Sequence, residues 1–142
     1  MEKNINSFFL KENQGLSDEE IRMMNPVSLA FLGDGVYELF VRGMIIDGDS
    51  SPGKLHKKSA KMVKAKSQAK AISLIFNDLT KEEQSVFRRG RNAHSHTMAK
   101  NASVGEYRMA TGLEALFGYL FLKGEMERLE ELFHLIKERS RC

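Results

Sequence analysis

With 142 residues, one cysteine and 42% hydrophobic residues, the chain is about the size of one ordinary domain and can bury a core without a disulfide framework or a thiolate metal cluster. The opening MEKNINSFFLKENQ sets charges on both sides of a short apolar patch, which argues against a signal or transit peptide, and no run approaches a membrane span; cytoplasmic localisation is expected. The net charge of +3 conceals a segregation of signs: residues 50–110 carry thirteen Lys and Arg against four acids, and the remainder nine against fifteen, so a polyanion-binding face is expected in the middle of the fold.

In chain order, the signals are those of helix starts and stops, without sustained strand-type alternation, and they predict an all-α fold of about six or seven helices. Ser17 with Glu20 makes a capping box before a short helix that stops near Asn25. Asn25-Pro26 caps and starts the second, which should run to about Ile46 and end in the turn Asp47-Gly-Asp-Ser-Ser51. Pro52 restarts the chain, and the segment to about Phe76 reads as helix, broken once near Ser59. Thr80 and Glu83 form a second capping box, opening a helix that carries Arg88-Arg89-Gly90-Arg91. Residues 92–101, with His94 and His96, lack periodicity and read as a solvated loop. Ser103 and Glu106 offer a third box before a strongly apolar helix to about Lys123, and a charged amphipathic helix follows Gly124. No internal repeat or linker divides the chain, so one domain over residues 1–142 is expected, its core at about 25–123.

The most informative segments are VSLAFLGDGVYELFV (27–41) and ATGLEALFGYLFL (110–122), apolar on nearly every helical face and therefore expected to be buried. Each contains a carboxylate, Asp34 and Glu114. An unpaired buried carboxylate costs several kcal/mol in a fold stable by only about 5 to 15 kcal/mol. The candidate partners are a basic side chain, a proton or a metal ion. The nearest basic residues, Arg42 and Arg108, stand about two turns away, which favours a metal or a long-range partner; structural salt bridging and metal chemistry remain open at this point. Gly33 and Gly35 each cost a helix about 1 kcal/mol against Ala, which a tight helix crossing or a subunit contact would explain.

Phe31-Leu-Gly-Asp-Gly-Val-Tyr-Glu38 resembles the signature of the ribonuclease III family, and Thr111-Gly-Leu-Glu-Ala-Leu-Phe-Gly118 is similar to that family's second acidic motif. The likeness extends over roughly Asn25 to Leu122, including LHKKSAKMVKAKSQAK and RRGRNA, and is strongest to the small branch made of the catalytic domain alone. The resemblance implies a homodimeric, Mg²⁺-dependent endoribonuclease (Mn²⁺ as a substitute) that cuts double-stranded RNA, with Asp34 and Glu114 as catalytic, metal-binding acids and large-subunit (23S) ribosomal RNA precursor as the substrate. It further implies that no separate double-stranded RNA binding domain is present. Two positions depart from the family pattern: Ala30 and Thr111 stand where acids are expected. They keep open a catalytically silent RNA-binding or ribosome-assembly module as the alternative.

Phosphate contacts would then come from the catalytic domain itself. Lys54, Lys57, Lys58, Lys61 and Lys64 recur at three- and four-residue steps, and Arg88, Arg89 and Arg91 form a second patch that Lys100 could extend. Of these, Lys57, Lys58, Lys61, Arg88, Arg89, Arg91 and Lys100 are the expected RNA-binding residues.

Overall fold

The computed structural model describes Phe8, residues 15–93 and residues 103–141; Lys100, His94 and His96 lie outside the described residues. Seven α-helices are bounded within them: α1 (Asp18–Arg22), α2 (Pro26–Ile45), α3 (Pro52–Val63), α4 (Ala65–Ile75), α5 (Lys81–Asn92), α6 (Val104–Leu122) and α7 (Met126–Arg139). A short 3-10 turn, Phe76–Asp78, follows α4, and no strand occurs among the described residues. The all-α expectation is met.

Each start is built from the side chain that the sequence supplies for it. Ser17, Thr80 and Ser103 all close the expected capping boxes, with their hydroxyls accepting from the backbone N–H of Glu20, Glu83 and Glu106. Asn25 accepts from the Val27 N–H at 2.8 Å, with Pro26 as the first helical residue. In the turn after α2, Asp47 Oδ1 accepts from the backbone N–H groups of Asp49 and Ser50 at 3.1 and 2.7 Å.

The break in the lysine-rich segment falls at Lys64, not near Ser59. Ser59 is buried inside α3, its hydroxyl donating to the His56 carbonyl, whereas Lys64 takes an extended conformation between α3 and α4. The two halves have different tasks. α3 turns Leu55, Ser59 and Met62 inward and packs on α2, while α4 buries Gln68, Ala71, Ile72 and Ile75 and packs on α6. One straight helix could not present both stripes to both partners.

α6 is the centre of the molecule. From Ala110 to Leu122 every residue but Glu114 is buried, and α2, α4, α5 and α7 pack around it. Its crossing with α2 is made backbone to backbone: a methyl on Gly33 would overlap the Glu114 carbonyl and lie 2.8 Å from the Gly118 nitrogen, and one on Gly118 would overlap the Leu29 carbonyl. Gly90 of α5 meets Gly112 and Ala115 of α6 in the same way, which accounts for a glycine inside the arginine cluster. Gly35, by contrast, faces open space. The tight-crossing explanation therefore holds for Gly33 alone.

Polar clasps tie α7 to this core. Arg128 donates twice to Glu83 of α5, at 2.8 and 2.9 Å, and once to the Asp78 carbonyl; Arg139 pairs with Asp78 at 2.5 Å. Burial pushes the Glu83 carboxyl up, but the bonds from Arg128 and Thr80 outweigh it and hold the group below its ordinary range.

The crossing yields a first test. Gly33→Ala should lower stability by at least the roughly 1–3 kcal/mol typical of overpacking, while Gly43→Ala, on the same helix with open space around it, should be neutral or stabilising by up to about 1 kcal/mol. Thermal melts of the two variants check it; equal melting temperatures would mean that the α2–α6 contact yields easily.

Candidate active site

Asp34 follows Gly33, the residue of α2 that touches the α6 backbone, and Glu114 supplies the carbonyl that it touches. The crossing therefore brings two carboxylates together: Asp34 lies within hydrogen-bonding reach of the Glu114 carboxyl. Burial, then the charge of Asp34 and the hydrogen bond with it, push Glu114 up to about 8, while the Gln68 side chain pulls it the other way. Two carboxylates sharing a partly desolvated spot repel one another unless a proton or a cation sits between them.

One expectation needs correcting. Asp34 is exposed and Glu114 half-buried, not both buried. The reason lies in α2, which is apolar on nearly every face although only one of its faces meets the core. The other presents Phe31, 85% exposed, and Leu39, 60% exposed, to solvent.

The neighbouring polar groups are otherwise engaged. Glu38 pairs with Arg42 at 2.7 Å on the helix surface. Ala30 is packed in the core, and Thr111 is buried with its hydroxyl donating to the Tyr107 carbonyl at 3.0 Å, so neither stands in for a missing acid. Among the described residues no cluster of three or more His, Cys, Asp or Glu could hold a metal. Two carboxylates are still a fitting donor set for a hard divalent cation that keeps several of its waters.

The expected RNA contacts divide. Lys57, Lys58 and Lys61 are exposed along α3, and Arg88 is exposed with its guanidinium 5.6 Å from the centre of the Phe76 ring. Arg91 is half-buried, 5.7 Å from the Phe87 ring centre, and donates to Asn92 at 3.1 Å. Arg89 is turned inward: it donates to the Arg22 carbonyl and, at 3.2 Å, to the Met24 carbonyl, closing the C-terminal end of α1. Its place is that of a helix cap rather than a surface cation.

Sequence reasoning also passed over two features. Lys66 and Lys70 join Lys64, Ser67 and Glu106 around an open groove of about 490 Å³ at the α3–α4 break. Gln68, on the buried side of the same helix, reaches Glu114. Its signal was a polar residue on the 68-71-72-75 stripe that α4 otherwise fills with Ala and Ile.

An all-helical domain centred on one buried helix, with paired acids at its tightest crossing, matches a known class. Residues 27–125 match the family model described as Ribonuclease III domain, and the chain belongs to the ribonuclease III family. Among individual proteins it is similar to the Mini-ribonuclease 3 of Clostridium tetani, 48% identical over 91% of this chain and 85% of that protein. It is also similar to the Mini-ribonuclease 3 of a Thermoanaerobacter species, 44% identical over 95% of each. A crystal structure of a protein from Fusobacterium nucleatum superposes with a TM-score of 0.77 at 30% identity, covering 84% of this chain and 97% of that one.

The acid pair sets a pH-dependent test. Because Glu114 is raised above its unfolded value of 4.5, the folded chain holds a proton that the unfolded chain has released, and stability falls as pH rises from about 4.5 toward 8. In chelator, Glu114→Gln should therefore melt several degrees higher than the parent at pH 8, as for a gain on the order of 1 kcal/mol. The difference should vanish near pH 4.5. A pH-independent difference would mean that the fold does not raise Glu114.

Proposed function

We propose that this chain is a Mg²⁺-dependent endoribonuclease that hydrolyses double-stranded RNA as a cytoplasmic homodimer, with Mn²⁺ able to substitute and large-subunit (23S) ribosomal RNA precursor as its substrate. The observation that carries the reading is the Asp34–Glu114 pair, two carboxylates brought side by side by the backbone contact at Gly33. Membership of the ribonuclease III family supports the same chemistry. No described helix is long and apolar enough to cross a membrane.

Asp34 and Glu114 would hold the ion between them. When bound, it readies a water for attack on phosphorus and neutralises charge on the transferring phosphate. Asp34, being exposed, offers its carboxylate on the side from which a duplex can approach. Glu114 sits deeper, where partial desolvation strengthens its electrostatic interactions. The lysines of α3 and of the α3–α4 groove suit the phosphates of an A-form duplex, which proteins grip through backbone and 2′-hydroxyls rather than base edges.

The homodimer rests on α2. Val27, Phe31, Gly35 and Leu39 step by four along its outer face, the three side chains exposed and Gly35 open. A second copy laid on this face would cover apolar surface that is otherwise in water and would bring two acid pairs to one duplex.

Two measurements test these statements. With an RNA duplex and Mg²⁺, the native chain should cut and Asp34→Asn should be slower by about 100-fold or more, the upper end of what even a supporting group at a metal site contributes. No cleavage by the native chain, or equal cleavage by the variant, would leave the catalytically silent RNA-binding module as the better description. In sedimentation, Phe31→Asp should be monomeric at micromolar concentration where the parent is a dimer; a parent that already sediments as a monomer would remove the homodimer.

A further inference from the structure

Gln68 lies in the first turn of α4, on the stripe that this helix buries against α6, and 1% of its surface is exposed. Its Nε2 is buried without a hydrogen-bond partner among the described residues, and the side chain stands beside Glu114, where it favours the ionised carboxylate. A buried donor left in that condition costs stability. Leu or Met would fill the same volume without that cost, so packing does not explain a glutamine here.

Two neighbours of Glu114 cannot serve in its place: Asp34 is itself an anion, and the Thr111 hydroxyl donates to the Tyr107 carbonyl. Among the described residues no Lys or Arg forms an ion pair with Glu114. The site also has fewer acids than its motif leads one to expect, since Ala30 and Thr111 contribute none. The orientation of each remaining carboxylate therefore matters more.

We propose that Gln68 is a positioning residue, donating from Nε2 to the Glu114 carboxylate and holding it in place for a divalent cation shared with Asp34. Nε2, buried and with no other partner among the described residues, has its hydrogen bond to give to that carboxylate. This rests on the metal-dependent reading above.

The test uses Gln68→Leu and Gln68→Met, titrated with Mn²⁺ by calorimetry and assayed for duplex cleavage, with Asp34→Asn alongside. Both Gln68 variants should fold with melting temperatures equal to or above the parent's in chelator, because an unsatisfied buried donor has been removed. Their Mn²⁺ affinity should fall by about 10- to 100-fold, as for loss of a hydrogen bond to a metal-binding side chain. In cleavage, kcat should fall while KM for the duplex stays the same. Unchanged Mn²⁺ affinity in a folded variant overturns the proposal, and so does unfolding of both variants, which would make the amide structural. If Asp34→Asn binds Mn²⁺ as tightly as the parent, the metal reading itself fails; if it loses Mn²⁺ while the Gln68 variants keep it, Gln68 alone is excluded.

Discussion

At Gly33 and Gly118 the backbones of α2 and α6 come into contact with no side chain between them, and the remaining helices are disposed around that contact. Helices separated by ordinary side chains stand about 8–10 Å apart, a spacing that would leave residues 34 and 114 on facing surfaces with room to turn away. Removing the side chains at the crossing closes that distance. The acids become neighbours because the main chains are neighbours. Their proximity is thus a property of the fold rather than of two flexible side chains that happen to meet.

That arrangement works against stability. Burial and the Asp34 charge both disfavour an ionised Glu114, and among the described residues only the Gln68 side chain pulls the other way. The rest of the fold has to carry the strain, and it does so through α6, whose residues from Ala110 to Leu122 are buried with the single exception of the glutamate. The clasp of Arg128 on Glu83 shows the opposite design in the same molecule. There a buried carboxylate is given a guanidinium and a capping N–H, and its charge is favoured. The half-buried Glu114 stands instead beside a second carboxylate, the kind of perturbed environment that clusters at functional sites.

Local chemistry was the legible part of this sequence. The three capping boxes, the Asn25-Pro26 start and the turn at Asp47 are decided by residues a few positions apart, and all were readable. The paired acids were readable too, through the two apolar segments that carry them. What escaped was set by partners distant in the chain. The break came at Lys64 because α3 and α4 serve different neighbours, and Arg89 left the basic patch because the carbonyls of Arg22 and Met24 lay within its reach. The apolar character of α2 looked like burial because periodicity does not say whether a face meets the core or a surface left bare. Gln68 was overlooked although its place on a buried stripe marked it, since a polar residue in a helix is unremarkable until the stripe's other members are known to be inside.

The two faces of α2 connect these observations. Successive residues of a helix are turned by about 100°, so with Gly33 pointing at α6, Phe31 and Gly35 point away from it and Asp34 falls between. The same turn of helix that fixes the crossing carries the acid at its edge and the bare apolar surface behind it. Anything that covers Phe31 and Leu39 must come to lie beside Asp34, and anything that draws α2 away from α6 must separate Asp34 from Glu114. Site geometry and surface association are for this reason not independent properties of the chain: both are consequences of where Gly33 stands, and a change at that one residue acts on each through the same few ångströms of backbone.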